Sequence, residues 1–196
     1  MSLIYEDKIL ANRPEFISEV KRYSKELGIN PNWLMAVMEF ESGLNPQAVN
    51  SVSGATGLIQ FLPSTASGLG TSTWSLAMMG GVEQLYYVYK YLKPHKAKIK
   101  NYTDLYLAVF FPLAIGKPRD YVLMTSSQSA FTIANQNPIF DLDKNGVIEK
   151  KEIEKVMMDR IPANWKMSFS RVRWVYYLIM ILAIIAFIWL VYKILT

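Results

Sequence analysis

Cysteine is absent from this chain, and histidine occurs once. Without thiols there are no disulfides, no thiolate nucleophile and no cysteine-ligated metal. The single histidine, His95, sits beside Lys93, Pro94 and Lys96. It reads as a solvated loop residue, with nothing nearby to form a nucleophile dyad or a zinc site. Charge is missing as well, over one long internal stretch: residues 42–82 contain no Asp, Glu, Lys, Arg or His. A phosphate ligand would find no cation there. No nucleic-acid motif is present, and the mixed aromatics and lysines of residues 86–102 are explained more simply by helical core packing than by base stacking. The N-terminal run MSLIYEDKILANRPEF lacks the apolar core of a signal peptide, so no cleaved export signal is expected.

The segment NPNWLMAVMEFESGLNP, beginning at Asn30, carries the sharpest chemical signal. Asn30 can cap a helix and Pro31 suits its first turn. Leu34, Met38 and Glu41 follow at helical spacing and share a face, and Gly43 with Pro46 ends the helix. A carboxyl at the end of an apolar stripe, near the negative end of a helix, has two reasons to hold its proton to unusually high pH. That is what a general acid requires. Glu39, two residues earlier, falls on another face and reads as structural. The charge-free stretch that follows is rich in Gly, Ser, Thr, Asn and Gln, with Gly54, Ala55 and Gly57 closely spaced. Small residues admit a ligand close to the backbone, and neutral amides and hydroxyls suit a sugar chain. Most glycosidases set two carboxylates across the scissile bond. Here the next acids are Glu83 and Asp104, which points to a substrate that supplies its own nucleophile.

Three linked motifs, Glu41-Ser42-Gly43-Leu44-Asn45-Pro46, Ser53-Gly54-Ala55-Thr56-Gly57-Leu58-Ile59-Gln60 and Pro63-Ser64-Thr65-Ala66, resemble the soluble lytic transglycosylase (SLT) domain, a lysozyme-like fold. The resemblance runs over residues 14–122, and residues 105–123 look like the phage branch of the family. It implies cleavage of the β-1,4 bond between N-acetylmuramic acid and N-acetylglucosamine in peptidoglycan, without a cofactor for catalysis. Glu41 matches the catalytic acid, which protonates the leaving oxygen and then acts as base while the muramic acid C6 hydroxyl closes a 1,6-anhydro ring. Ser42 and Gln60 match positions that orient the acid or the sugar; Gly57, Leu58 and Ile59 match the turn lining the substrate. Many members also carry a Tyr-Asn-Ala-Gly element whose tyrosine bonds the acid. Phe110, Phe111 and Pro112 occupy that place here, leaving Tyr106 or Tyr102 to substitute, and Tyr106 is taken as a substrate-site residue. The run Tyr86, Tyr87, Tyr89 and Tyr91 is expected to be mostly core, with one ring left for a sugar groove.

Residues 141–152, DLDKNGVIEKKE, fit the twelve-residue EF-hand calcium loop. Asp141, Asp143 and Asn145 fall at loop positions 1, 3 and 5, and Gly146 falls at the sharp turn. The Val147 carbonyl, Glu149 and Glu152 complete the donors. A structural calcium ion is expected, clipping down the segment after the enzyme domain. A helix is expected at 151–159, but the usual entering helix reads as missing, because SSQSAFTIANQNPIF is polar, Asn-rich and broken by Pro138.

Hydrophobic content of 52% is concentrated at the C-terminus. Residues 174–192 carry no charge and are about long enough to cross a bilayer. Trp174, Tyr176 and Tyr177 flank one end, Trp189 and Tyr192 the other, as interfacial belts do. Lys166, Arg171 and Arg173 precede the span and only Lys193 follows, a bias that leaves the enzyme domain in the cytoplasm. Peptidoglycan lies on the other side. A virion enzyme held in the internal membrane of a phage, or in the host inner membrane before assembly, reconciles the two. Its expected partners are peptidoglycan glycan strands, a lipid bilayer and other virion membrane or capsid proteins, with no nucleic acid. The rivals are a bacterial or lysis-stage wall enzyme with a periplasmic domain, and a non-catalytic peptidoglycan-binding membrane protein. The expected architecture is mainly α: a lysozyme-like transglycosylase domain (1–125), a single EF-hand-like segment (126–160), a basic linker (161–173) and one transmembrane helix (174–195). Further helices are expected at 14–27 and 82–92.

Overall fold

The computed structural model describes residues 2–169, 179–185 and 187–189. Residues 1–161 form one compact unit and 162–196 a second.

Helix α1 (Arg13–Leu27) starts with proline in its first turn and stops at Gly28, whose φ of 72° is the left-handed conformation that closes a helix. Helix α2 (Pro31–Ser42) is capped by Asn30, whose side chain accepts from Asn32 N–H at 2.9 Å. Five consecutive residues of α2, Leu34 to Met38, are all buried. A helix apolar on every side must be surrounded. Accordingly α2 packs against both α1 and α6 (Tyr102–Phe110). Between them come α3 (Pro63–Gly68), α4 (Thr73–Met78) and α5 (Gly81–Leu92). The α5 stripe of Leu85, Val88 and Leu92 faces the core, and Tyr89 stacks on Tyr23 of α1 with centroids 4.8 Å apart.

Between α2 and α3 the charge-free stretch folds as a tight double turn. Thr56 and Phe61 exchange backbone hydrogen bonds at 3.0 and 2.9 Å, and Gly57 N–H donates to Ala48 O at 2.9 Å. Isolated bridges of this kind, and no longer strand, occur among the described residues.

The segment after α6 belongs to the same compact unit. A short helix, α7 (Ala130–Gln136), stands where the polar composition argued against one. Ser129 caps it, accepting from Thr132 N–H at 3.1 Å, and Ile133 with Ala134 buries its inner side. The helix ends before Pro138, so it does not run directly into the acidic loop. Helix α8 (Lys150–Asp159) follows that loop. The loop's extended edge pairs inside the chain: Leu123 N–H donates to Ile148 O at 2.9 Å and Lys150 N–H to Tyr121 O at 2.9 Å. Lys150 Nζ lies 3.4 Å from Asp104 Oδ1 in a buried ion pair joining α8 to α6, and donates to Lys117 O at 3.0 Å.

In the second unit Lys166–Phe169 makes one helical turn, and residues 179–185 and 187–189 are helical with exposed apolar side chains such as Ile181 and Phe187. Much of the membrane span expected at 174–192 lies outside the described residues. Among the described residues no helix is long and apolar enough to cross a membrane.

Candidate active site

Glu41 lines a cleft of about 400 Å³, within the usual size for a small-molecule site. Helix α2 holds the acid in its last turn, half-buried, and Gly43 ends the helix at φ 63°. Burial pushes the Glu41 carboxyl up to about 7. Among the described residues no cation or hydrogen-bond donor offsets that desolvation. Glu39 points elsewhere and pairs with Lys8 at 2.7 Å, so the two neighbouring acids have separate lives. Among the described residues, Glu41 is the only charged one on the cleft wall.

The expected substrate turn splits into lining and support. Ile59 and Gln60 line the cleft; Gly57 and Leu58 lie beneath it. Gln60 holds a left-handed φ of 52°, and its Nε2 donates to Ala48 O at 3.2 Å and Gly57 O at 3.1 Å. Leu58 is fully buried, and its N–H donates to Gln84 Oε1 at 2.9 Å. Gly57 combines a φ of 85° with contact against the Gln84 amide, so a Cβ there would collide with that side chain. Ser42 Oγ lies 3.0 Å from Met38 O and 3.1 Å from Leu58 O. It straps α2 to the turn and does not line the cleft.

Tyr106 and Tyr102 are both buried, and neither lines the cleft. Tyr106 packs among Phe40, Phe110 and Phe140, with centroids 5.1 to 5.8 Å away. Burial, then the nearby Glu41, raises its hydroxyl pKa. Phe110 does border the cleft, at the place where the family's tyrosine was missing. A hydroxyl reaches the same region from α5: Tyr91 lines the cleft and donates to Ala108 O at 2.9 Å. Burial and then the Glu41 charge raise the Tyr91 pKa. His95, expected to be fully solvated, is half-buried against Tyr91, with ring centroids 6.0 Å apart.

Sequence reasoning missed Gln84, Gln136 and Asn137, and left open which ring of Tyr86, Tyr87, Tyr89 and Tyr91 would line a groove; Tyr91 lines the cleft. Gln84 had a legible signal: it shares the i, i+4, i+8 stripe of Val88 and Leu92, and a polar residue there must find buried partners. Gln136 and Asn137 line the cleft from the end of α7, and nothing in an Asn-rich run marks them.

At the acidic loop, Asp141, Asp143 and Glu152 bring carboxylate oxygens within 4.8 Å of one another. Gly146 takes φ 82°. Glu152 accepts from Leu142 N–H at 2.9 Å and Glu149 N–H at 2.8 Å, which ties the loop to the start of α8. Asn145 Nδ2 donates to Asp143 at 3.0 Å, and Glu149 pairs with Lys151. A roomier depression of about 560 Å³ lies beside this loop, lined by Arg119, Asp120, Lys151 and Lys155 among others. It mixes charges of both signs, whereas the smaller cleft sets one carboxyl among uncharged side chains, the better arrangement for acid chemistry.

A membrane-bound lytic murein transglycosylase C, found in three strains of Actinobacillus pleuropneumoniae (L20, JL03 and AP76), is 40% identical over 52 residues. That stretch takes in 26% of this chain and only 14% of the relative. Residues 18–110 match the family model of the transglycosylase SLT domain. Both findings support the lytic transglycosylase family, and the residues matched by the family model hold Glu41, the charge-free turn and Tyr91.

Proposed function

We propose that this chain is a peptidoglycan lytic transglycosylase. The observation that carries the reading is a single carboxyl, protonated up to about neutral pH, in a cleft whose other lining side chains are uncharged. Glu41 donates its proton to the glycosidic oxygen between N-acetylmuramic acid and N-acetylglucosamine as that bond breaks. The resulting carboxylate then takes the proton of the muramic acid C6 hydroxyl while that oxygen bonds to C1. The acid is regenerated, no water is consumed, and the product carries a 1,6-anhydro ring. Among the described residues no second carboxylate lines the cleft wall, which favours this route over one that activates water or forms a covalent glycosyl intermediate. Tyr91, its proton committed to Ala108, presents oxygen lone pairs beside the acid, the role left vacant at Phe110. Mass spectrometry of fragments released from purified wall tests the reading. Anhydro ends are expected; reducing ends would mean that water is the nucleophile.

The cellular setting belongs to the same proposal. The apolar C-terminus anchors the enzyme in a bilayer, and the basic residues before it keep the domain on the cytoplasmic side until a phage particle carries it to the wall of its next host. Protease protection in inverted vesicles checks the orientation: cleavage of the enzyme domain is expected, and full protection would favour the bacterial or lysis-stage alternative.

The acidic loop is proposed to hold a structural calcium ion. Its donors are hard oxygens, as calcium prefers: the carboxylates of Asp141, Asp143 and Glu152, the Asn145 amide oxygen, the Val147 carbonyl, and Glu149. The ion would supply positive charge among these carboxylates and stiffen the loop; it takes no part in proton transfer. Calorimetry on calcium-stripped protein should show binding. Absence of heat up to about millimolar calcium, the weak end of the known range for such loops, would overturn the assignment.

A further inference from the structure

The cleft has one wall that the family match does not contain. Gln136 and Asn137 line it from the end of α7, beyond the matched residues 18–110. This wall is held firmly. Ile133 and Ala134 are buried, and Phe140 packs against Phe40 and Phe110 with centroids 6.0 and 5.1 Å away. Phe40 directly precedes Glu41, so one aromatic cluster fixes both the acid and the α7 wall.

A hydrogen-bond inventory of the cleft shows what these two side chains have to offer. Gln60 spends its Nε2 on two backbone carbonyls, and Tyr91 spends its proton on Ala108. Asn137 donates one N–H to Ile133 O at 2.9 Å. Its side-chain oxygen accepts nothing from the described residues. Gln136 accepts from Gln128 at 3.4 Å through Oε1, and its two N–H groups have no acceptor among the described residues. The end of α7 therefore presents an amide donor beside an amide acceptor. An acetamido group is the complementary partner: its carbonyl accepts and its N–H donates.

We propose that Gln136 and Asn137 recognise the N-acetyl group of a hexosamine in the cleft and give the enzyme its preference for N-acetylated glycan. This rests on the reading of the cleft as a glycan site. It makes the segment after the matched domain part of the substrate-binding surface.

The test is binding of soluble, uncrosslinked wall glycan strands to the full chain carrying Glu41→Gln, measured by calorimetry with native and with N-deacetylated strands. Loss of two neutral hydrogen bonds corresponds to about a tenfold change in affinity. Native strands should bind about tenfold more tightly than deacetylated ones. Adding Gln136→Ala and Asn137→Ala should weaken native binding by a similar factor and erase the difference between the strands. Asn137→Ala also removes a bond at the helix end, so Gln136→Ala alone, at an exposed side chain, serves as the variant whose fold is secure. It should lower the preference about threefold with an unchanged melting temperature. Undiminished preference in both variants would overturn the proposal. Because the readout is binding, the two readings fail separately. Retained N-acetyl preference in a protein whose wild type forms no anhydro ends defeats the transglycosylase reading alone. Anhydro ends together with an unmoved preference defeat this one alone.

Discussion

Replacing Glu41 with glutamine should reduce formation of anhydro ends by about a thousandfold or more, since a positioned acid that is also the base serves both halves of the reaction. Glutamine keeps the shape and hydrogen-bonding reach of the side chain but has no proton to give. The same substitution should make the protein more stable at mildly alkaline pH. An unfolded glutamate titrates near 4.3, whereas burial holds the folded Glu41 up to about 7. Between those values the folded chain keeps a proton that the unfolded chain releases. Stability of the wild type therefore falls as pH rises through that window, by at most about 4 kcal/mol. The half-buried position of Glu41 reduces that bound. The variant has no such loss, so the two proteins should match near pH 4 and diverge by about pH 8, with Glu41→Gln the more stable. Denaturant titrations at the two pH values, run beside a product assay, check both halves. Retained activity would remove Glu41 from the chemistry. Equal stability at both pH values would mean that its carboxyl is solvated.

Gln84→Leu should cost about 2–5 kcal/mol. The Gln84 amide is fully buried and joins three separate stretches of chain. Its Oε1 takes the Leu58 N–H at 2.9 Å, and its Nε2 donates to Pro46 O and Leu76 O, both at 2.6 Å. Leucine fills a similar volume but leaves the Leu58 N–H and the Pro46 carbonyl unsatisfied away from water, each costing about 1–3 kcal/mol, while the Leu76 carbonyl keeps the Met79 N–H at 3.0 Å. Gln84→Glu restores the acceptor alone and adds a buried charge, so it should not rescue. Because Leu58 precedes the cleft residues Ile59 and Gln60, activity should drop in the fraction that remains folded. A loss below about 1 kcal/mol on denaturation would show that the Leu58 N–H and the Pro46 carbonyl find other partners.

These cases show where sequence reasoning reached and where it stopped. Glu41 was legible because everything that defines it is local: the stripe of Leu34 and Met38, the stop at Gly43, and the charge-free run that follows. The helices α1, α2, α5 and α8 were legible for the same reason, each having a periodic face with a cap or a stop. Gly57 was legible as a glycine but not as a consequence of Gln84, because that contact joins residues far apart in the chain. Tyr91 looked like its three neighbours until the fold turned it alone toward the acid, and Tyr106, the expected substitute, was claimed by an aromatic cluster. Helix α7 was obscured by its shortness and polar composition. What forms it is burial of Ile133 and Ala134 together with Phe140 docking on Phe40, none of which has a local signature.

The wall contributed by α7 also sets an order of events during synthesis. A ribosome releases the acid early and Gln136 with Asn137 long afterwards, and closing so distant a contact is slow compared with forming the helices between. A nascent chain therefore carries its proton donor in an open, watery notch until the last part of the unit arrives. The enzyme matures only when translation of that unit is nearly done.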